Sequence, residues 1–259
     1  MLVLNKEKKI AIKVGELIIE QGKFTTIAGP CAVESEEQIE TIFKSLNNVD
    51  MFRGGVFKPR TSPYAFQGLK GEGIDLLVSM SKKYDKPIIS EIMSIDQIEF
   101  FKDVDVIQIG ARNMQNFELL KKVAKLNKPI LLKRGMGNTV DEFISSAEYI
   151  LNEGNDQVIF CERGIRTFET STRFTLDIAS IHIIKTRTNF PVFVDPSHAA
   201  GESYLVPTLT KAAIAAGCDG IIIEVHPDPK VALSDANQQL TIEEYNELSK
   251  DIEKCLKLR

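Results

Sequence analysis

The sequence is notable first for what it lacks. No run approaches the roughly 18 apolar residues that a membrane-spanning helix needs. The N-terminus, MLVLNKEKKIAIK, has neither the apolar core nor the cleavage site of a secretory signal. There is no G-x-G-x-x-G and no Walker A segment, so neither common nucleotide-cradling loop is present. The four cysteines, Cys31, Cys161, Cys218 and Cys255, are far apart and form no C-x-x-C pair, which fits reduced thiols in a cytoplasmic protein better than a disulfide framework. The net charge is only -4, so nothing global favours nucleic acid or an acidic membrane surface. No linker or low-complexity stretch divides the chain. Its 259 residues and 43% hydrophobic content support one large core and exclude a disordered chain.

What is present is a repeat. Short β-branched runs near 25–28, 52–57, 87–90, 104–109, 129–133, 157–161, 191–194 and 220–224 read as strands. Amphipathic stretches near 36–47, 73–84, 95–101, 114–126, 139–152, 172–186, 203–217 and 242–256 read as helices. Phe117, Leu120, Val123 and Ala124, for example, recur at helical spacing. Asn138-Thr139 before Asp141 and Glu142 marks a helix start, with acids at the positive end of the dipole. Parallel strands need such crossovers, and eight βα units at this length predict an α/β fold, a (β/α)8 TIM barrel over 25–259. A doubly wound open sheet is the alternative. Residues 1–24 stand outside the repeat. Ile10, Ile12 and Val14 alternate, and Gly15-Glu16 turns the chain into Leu17-Ile18-Ile19, a short N-terminal β-hairpin expected to close the barrel's bottom.

In such barrels the chemistry sits at the C-terminal ends of the strands. Eight groups fall there in register: Cys31, Lys58 with Arg60, Glu91, Arg112, Lys133, Arg163, His198 and Glu224. With Asp235, the Cys, His and Glu form a mixed soft and hard donor set that suits one divalent ion, Mn, Fe, Co or Zn. Each member has an ordinary alternative. Cys31 alone reads as a small buried hydrophobe, His198 as a loop or N-cap residue and Asp235 as a turn cap. Glu224 ends the apolar run GIIIE, where an unpaired charge is costly, so it is a ligand or half of an ion pair. The cations Arg53, Lys58, Arg60, Arg112, Lys133 and Arg163 would converge into a positive funnel, and exceed what one monophosphate needs, implying two anionic substrates. Solvated surface charge is the alternative, disfavoured for Lys133 and Arg163, which follow buried strands. Gly110-Ala111-Arg112 offers backbone N–H groups beside an arginine fork. Phe57, Tyr64, Phe66, Gly54 and Gly55 read as packing and close backbone approach. Glu91 and Glu162 are candidates for acid–base work or for ion pairs with Lys58, Lys133 or Arg163. His226 and Asp228 read as groups backing the cluster, and His182 as an ordinary helix residue.

The phrases GPCAVES, RGGVFKPRTSPYAFQGL, IGARNMQNFELL, KPILLKRGM, CERGIRTFE, VDPSHAAG and EVHPDP…LSD, spread in order over about residues 20–250, resemble the 3-deoxy-D-arabino-heptulosonate 7-phosphate (DAHP) synthases, and their compact type I-beta group in particular. The resemblance implies condensation of phosphoenolpyruvate with erythrose 4-phosphate, releasing phosphate, as the entry to the shikimate pathway. It implies metal ligation by Cys31, His198, Glu224 and Asp235. Phosphoenolpyruvate contacts carry over to Arg53, Lys58, Ala111, Arg112, Lys133 and Arg163, and aldose phosphate contacts to Pro59, Arg60 and Thr61. Lys58, Glu91 and His198 become the catalytic residues, with Lys58 as proton donor to the new alkoxide and Glu91 or a metal-held water handling the second proton. A homodimer or homotetramer is implied. Many relatives carry an N-terminal regulatory domain or a fused chorismate mutase. Here about 24 residues precede the first barrel strand, so no mutase activity and weak or absent feedback by Phe, Tyr or Trp are expected. Two alternatives stand: the sister 3-deoxy-D-manno-octulosonate 8-phosphate synthase, which typically reads Ala-Asn-Arg where Pro59-Arg60-Thr61 stands, and a noncatalytic barrel that binds phosphosugars.

Overall fold

The computed structural model describes residues 1–58 and 62–259. Two short strands open the chain, β1 (Ala11–Val14) and β2 (Leu17–Glu20), followed by eight more: β3 (Thr25–Gly29), β4 (Met51–Arg53), β5 (Ile88–Ile92), β6 (Val106–Ile109), β7 (Ile130–Lys133), β8 (Val158–Glu162), β9 (Val192–Val194) and β10 (Gly220–Glu224). The helices are α1 (Glu36–Ser45), α2 (Gly71–Tyr84), α3 (Phe117–Ala124), α4 (Val140–Asn152), α5 (Ile178–Arg187), α6 (Pro196–Ala200), α7 (Val206–Ala215) and α8 (Ile242–Lys257). Strands β3 to β10 pair in parallel and close into a barrel, β10 returning to β3 with Glu224 opposite Gly29. The expected (β/α)8 architecture is therefore present, and an open sheet is excluded.

The strands are short apolar runs because each is covered on both sides. Residues such as Ile107, Leu131, Ile159 and Ile222 are fully buried, which is what a parallel sheet between a packed interior and a ring of helices demands. The helices begin where the sequence provides caps. Thr139 accepts from the Glu142 N–H while Glu142 reaches back to Thr139, and Thr241 and Glu244 do the same for α8. Hairpin β1–β2 pairs Val14 with Leu17 around Gly15. Just after it, Gln21 donates to the carbonyls of Thr188 and Phe190, and the Gly22 N–H to Asp219. The hairpin therefore lies against the N-terminal ends of β9 and β10, opposite the face where the functional residues gather.

Local departures from the sequence reading have physical causes. The expected strand at 52–57 stops at Arg53, because Gly55 turns to bridge Ala32 instead. The crossover at 95–101 is 3-10 rather than α, opened by a Ser94 capping box. The fifth helix starts at Ile178, not near 172, because residues 165 and 175 pair across a loop that folds back over the barrel mouth. A one-turn helix, α6, occupies the Pro-Ser-His segment, with Pro196 preset for its first turn.

Candidate active site

A cavity of about 170 Å³ opens at the C-terminal ends of the strands. Its walls include Lys58, Arg112, Lys133, Arg163 and Arg173 against the acids Glu91 and Asp235, with Ala111, Phe174 and His198 beside them. Cations thus outnumber acids in a site enclosed by a buried sheet, where fields are screened little by water.

The four expected metal ligands meet at one edge of this cavity. Donor atoms of Cys31, Glu224 and Asp235 all lie within 4.8 Å of one another. His198 Nε2 reaches two of them, standing 3.6 Å from Glu224 Oε1 and 3.9 Å from Asp235 Oδ2. Cys31 ends the turn after β3, Glu224 ends β10, His198 lies on α6 and Asp235 on the loop before α8. Nonlocal chain segments therefore build the cluster, and sequence spacing alone could not show it. Its donor set fits a divalent cation on structural grounds. Glu224 is fully buried, and its Oε1 has no hydrogen-bond donor among the described residues, although Arg53 Nη2 lies 3.0 Å away as a charge contact. A buried carboxylate oxygen with one ion pair and no hydrogen-bond donor keeps room for a second cation on its free side.

The surroundings tune each ligand. Burial, reinforced by the charge of Glu224, pushes the Cys31 thiol up to about 12, so without a cation it keeps its proton. Burial would raise Asp235, but its coupling to His198, once that ring is protonated in acid, and the positive field of Arg173 and Lys58 outweigh it and hold the carboxyl at about 2. Burial lowers His198 against the pull of Asp195 and Glu224, favouring the neutral imidazole that metals bind. Its Nδ1 is 2.7 Å from Asp195 Oδ2, a pairing that orients the ring and leaves Nε2 toward the cluster.

The cations are held with equal specificity. Lys58 Nζ donates to both the carbonyl and the sulfur of Cys31, each at 3.0 Å. Burial lowers its pKa, yet its coupling to Cys31 and the negative field of Glu224 and Glu91 prevail and raise it, so the ammonium form persists. A side chain on Gly55 would strike the Cys31 carbonyl at 2.5 Å and the Lys58 amine at 3.0 Å, so glycine is required for this approach. Lys133 pairs with Asp195. Arg163 is different: its guanidinium stacks on Phe174 at 4.1 Å, and its Nη1 is buried without a hydrogen-bond partner among the described residues. Burial lowers its pKa, with the Arg173 charge adding to the effect and Asp195 opposing it. Arg53 stands behind the cavity, one nitrogen on the Pro30 carbonyl, another at Glu224, and Nη1 unpaired.

Of the two candidate acids, Glu91 lines the cavity and accepts from Gln108 at 3.2 Å. A Cβ on Gly110 would fall 1.9 Å from its Oε1, so a larger residue there would push the Glu91 carboxylate out of its present position. Glu162 does not face the cavity. It is fully buried and paired with Arg134 at 2.9 Å, and also accepts from Gly164 N–H and Ser180. Its role is structural, and the partner is Arg134 rather than any of the three cations expected. Because removing one member of a buried pair strands the other, Glu162→Leu is expected to cost about 3 kcal/mol of stability in urea unfolding, the low end for such a pair since Arg134 keeps Asp177. An unchanged midpoint would contradict that role. His226 bonds Glu34 at 3.3 Å and receives the Asp228 N–H at 3.0 Å, and His182 is exposed on α5. Pro59, Arg60 and Thr61 lie outside the described residues.

Sequence reasoning missed Asp195, Arg134, Arg173 and Gln238. Asp195 had a signal: it stands three residues before His198, where an N-cap carboxylate meets both the backbone N–H and the ring. Arg173 and Gln238 had none, because their meaning comes only from which carboxylates the loops bring to them.

Comparison with known proteins follows the same line. The chain matches the DAHP synthetase I family over residues 6–258. It is 50% identical over 246 residues to the phospho-2-dehydro-3-deoxyheptonate aldolase of Thermotoga maritima, spanning 94% of this chain and 73% of that one. A 2-dehydro-3-deoxyphosphooctonate aldolase of Geobacter sulfurreducens is 31% identical over 247 residues, spanning 87% of this chain and 90% of that one. The crystal structure of the T. maritima DAHP synthase has a TM-score of 0.95 at 47% identity, covering 98% of this chain and 75% of that chain. A truncated form of the T. maritima 3-deoxy-D-arabino-heptulosonate 7-phosphate synthase gives 0.91 at 43%, covering 98% and 94%.

Proposed function

The chain belongs to the DAHP synthetase I family, and we propose on that footing that it joins phosphoenolpyruvate to erythrose 4-phosphate with water, forming DAHP and phosphate, the first step of the shikimate route to aromatic compounds. The observation that carries this reading is the cavity itself: five cations, one with a buried unpaired guanidinium nitrogen, facing a Cys-His-Glu-Asp cluster. The 31% identity to the octulosonate enzyme, against 50% to the heptulosonate enzyme, favours the four-carbon aldose over the five-carbon one.

The residues divide the work as follows. Arg53, Lys58, Arg112, Lys133, Arg163 and the Ala111 backbone bind phosphoenolpyruvate. Pro59, Arg60 and Thr61 take the aldose phosphate. Cys31, His198, Glu224 and Asp235 would hold a divalent ion (Mn, Fe, Co or Zn), which supplies Lewis-acid polarisation of the aldehyde oxygen. The positive field lowers the repulsion between two polyanions that must approach within bonding range. C3 of phosphoenolpyruvate forms the new bond to the aldehyde carbon, and the Lys58 ammonium gives its proton to the alkoxide oxygen. Water adds to C2 and passes a proton to Glu91. The resulting carbon collapses to the ketone, phosphate leaving with the C–O electron pair and taking the hydroxyl proton. His198 keeps its Nε2 on the cluster because Asp195 holds the other face of the ring. The four free thiols support a cytoplasmic setting, and the family supports a homodimer or homotetramer. No described helix is long and apolar enough to cross a membrane.

The test is loss of phosphoenolpyruvate absorbance with erythrose 4-phosphate or arabinose 5-phosphate, each with Mn²⁺ or with EDTA. Turnover with the four-carbon sugar that EDTA abolishes is the expected result. Turnover with the five-carbon sugar alone would transfer the assignment to the octulosonate enzyme.

A further inference from the structure

We infer that Arg173 and Gln238 clamp the two carboxylates of the cluster, fixing which single oxygen each presents to a divalent cation. This rests on the metal-site reading above and deepens it. A carboxylate can bind a cation through one oxygen or both, and the choice decides how many coordination positions remain for substrate. Here one oxygen of each carboxylate is already taken. Gln238 Nε2 donates to Glu224 Oε2, leaving Oε1 with the Arg53 ion pair at 3.0 Å but no hydrogen-bond donor among the described residues. Arg173 Nη1 lies 3.4 Å from Asp235 Oδ1, leaving Oδ2 directed at Cys31, 3.4 Å away, and at His198. The same Nη1 donates to Gln238 Oε1 at 2.8 Å. One guanidinium nitrogen thus ties both carboxylates into one unit, and the other oxygen of each faces the cluster, Asp235 Oδ2 toward the thiol and the imidazole and Glu224 Oε1 toward the imidazole with Arg53 beside it.

The backbone places this unit deliberately. Asp235 adopts a left-handed conformation, φ 47°, which a non-glycine residue keeps only when its surroundings hold it. The Arg173 and Phe174 N–H groups donate to the carbonyls of Ala200 and Ala199, at the end of the helix that carries His198. Arg173 is therefore fixed to the histidine's helix while its side chain fixes the carboxylates. It touches neither reacting carbon in the mechanism above and acts as a positioning residue.

Partners that orient metal ligands are worth about 10–100-fold in metal affinity. The test uses two substitutions that leave net charge unchanged, Gln238→Ala and Arg173→Lys, so that any loss is one of position and not of field. The full chain is stripped with chelator and titrated with Co²⁺ alone, following the thiolate-to-cobalt absorption and the ligand-field bands, with thermal melting of the stripped protein as the check on folding. Both variants are expected to melt like the parent without metal, to bind Co²⁺ about 10–100-fold more weakly, and to show altered ligand-field bands. Parent-like affinity and spectra in both would overturn the clamp. Cys31→Ala, run alongside, separates the two levels. If it binds Co²⁺ as the parent does, the metal site itself is misassigned; if it alone loses binding, the site stands and the clamp falls. Should Gln238→Ala melt early, Arg173→Lys carries the test, since it keeps a cation at the same place.

Discussion

Cys31→Ala is expected to bind Mn²⁺ or Co²⁺ so weakly that the purified protein retains no metal, and to turn over about 10²–10⁴-fold more slowly. Lewis-acid stabilisation of a developing alkoxide is worth several kcal/mol, and each 1.36 kcal/mol is a factor of ten in rate. The substitution removes the only sulfur donor of the cluster, and with it the soft ligand that favours a transition metal over Mg²⁺. The loss is a ligand loss and not a packing loss. Cys31 is buried, but it makes polar contacts to Ser234 at 2.9 Å and Lys58 at 3.0 Å, so its alanine variant leaves no large apolar cavity. Melting of the stripped variant should therefore stay close to that of the stripped parent, while the stabilisation that added metal gives the parent disappears, as linkage requires. Metal content by elemental analysis, beside a melting curve with and without Mn²⁺, checks both halves. A variant that retains stoichiometric metal and parent-like rates would remove Cys31 from the site.

How much of this was legible in the sequence depends on which interactions are local. Strand identity came from β-branched runs such as ILLK and GIIIE, and helix starts from Thr139 with Glu142, because period and capping are written within a few residues. Once eight βα units were counted, closure placed Cys31, Lys133, Arg163, His198 and Glu224 at one end without further information. Where the reading slipped, a nonlocal contact had overridden a local preference. Residues 172–177 pattern as the start of a helix, yet Thr175 pairs with Ile165 and the helix waits until Ile178. Glu162 looks like a catalytic acid because it precedes Arg163 after a strand, but its side chain turns away to Arg134 and Ser180. Strand β8 ends at Glu162, whose side chain packs toward α5 through Ser180, and Arg163 follows where the chain has left the ladder. Which of the two entered the cavity was therefore decided by nonlocal partners, Arg134 and Ser180 for Glu162 and Phe174 for Arg163.

Arg163→Met is expected to separate activity from stability more sharply than any other substitution here. Arg163 is nine-tenths buried or more, its Nη1 has no hydrogen-bond partner among the described residues, and its guanidinium lies on the face of Phe174. A buried cation in that state disfavours folding, and burial lowers its pKa for the same reason. Methionine fills a similar volume without charge and keeps a favourable contact with the ring. The free protein should then gain stability, on the order of 1 kcal/mol, read as a higher urea midpoint. Turnover should move the other way. Charged hydrogen bonds are worth about 1.5–3 kcal/mol each, and losing a two-pronged contact to the phosphoenolpyruvate anion should lower kcat/KM for that substrate about 10²–10⁴-fold. If Arg163 serves phosphoenolpyruvate, as proposed above, KM for erythrose 4-phosphate should change little. Arg163→Lys discriminates further: it restores charge but not the planar fork or the stack on Phe174, so it should recover only part of the rate. A destabilised Arg163→Met protein with near-parental kcat/KM would mean that the guanidinium serves the fold. The opposite pattern would identify it as a cation that the fold holds in place, at a cost to stability, for the substrate to complete.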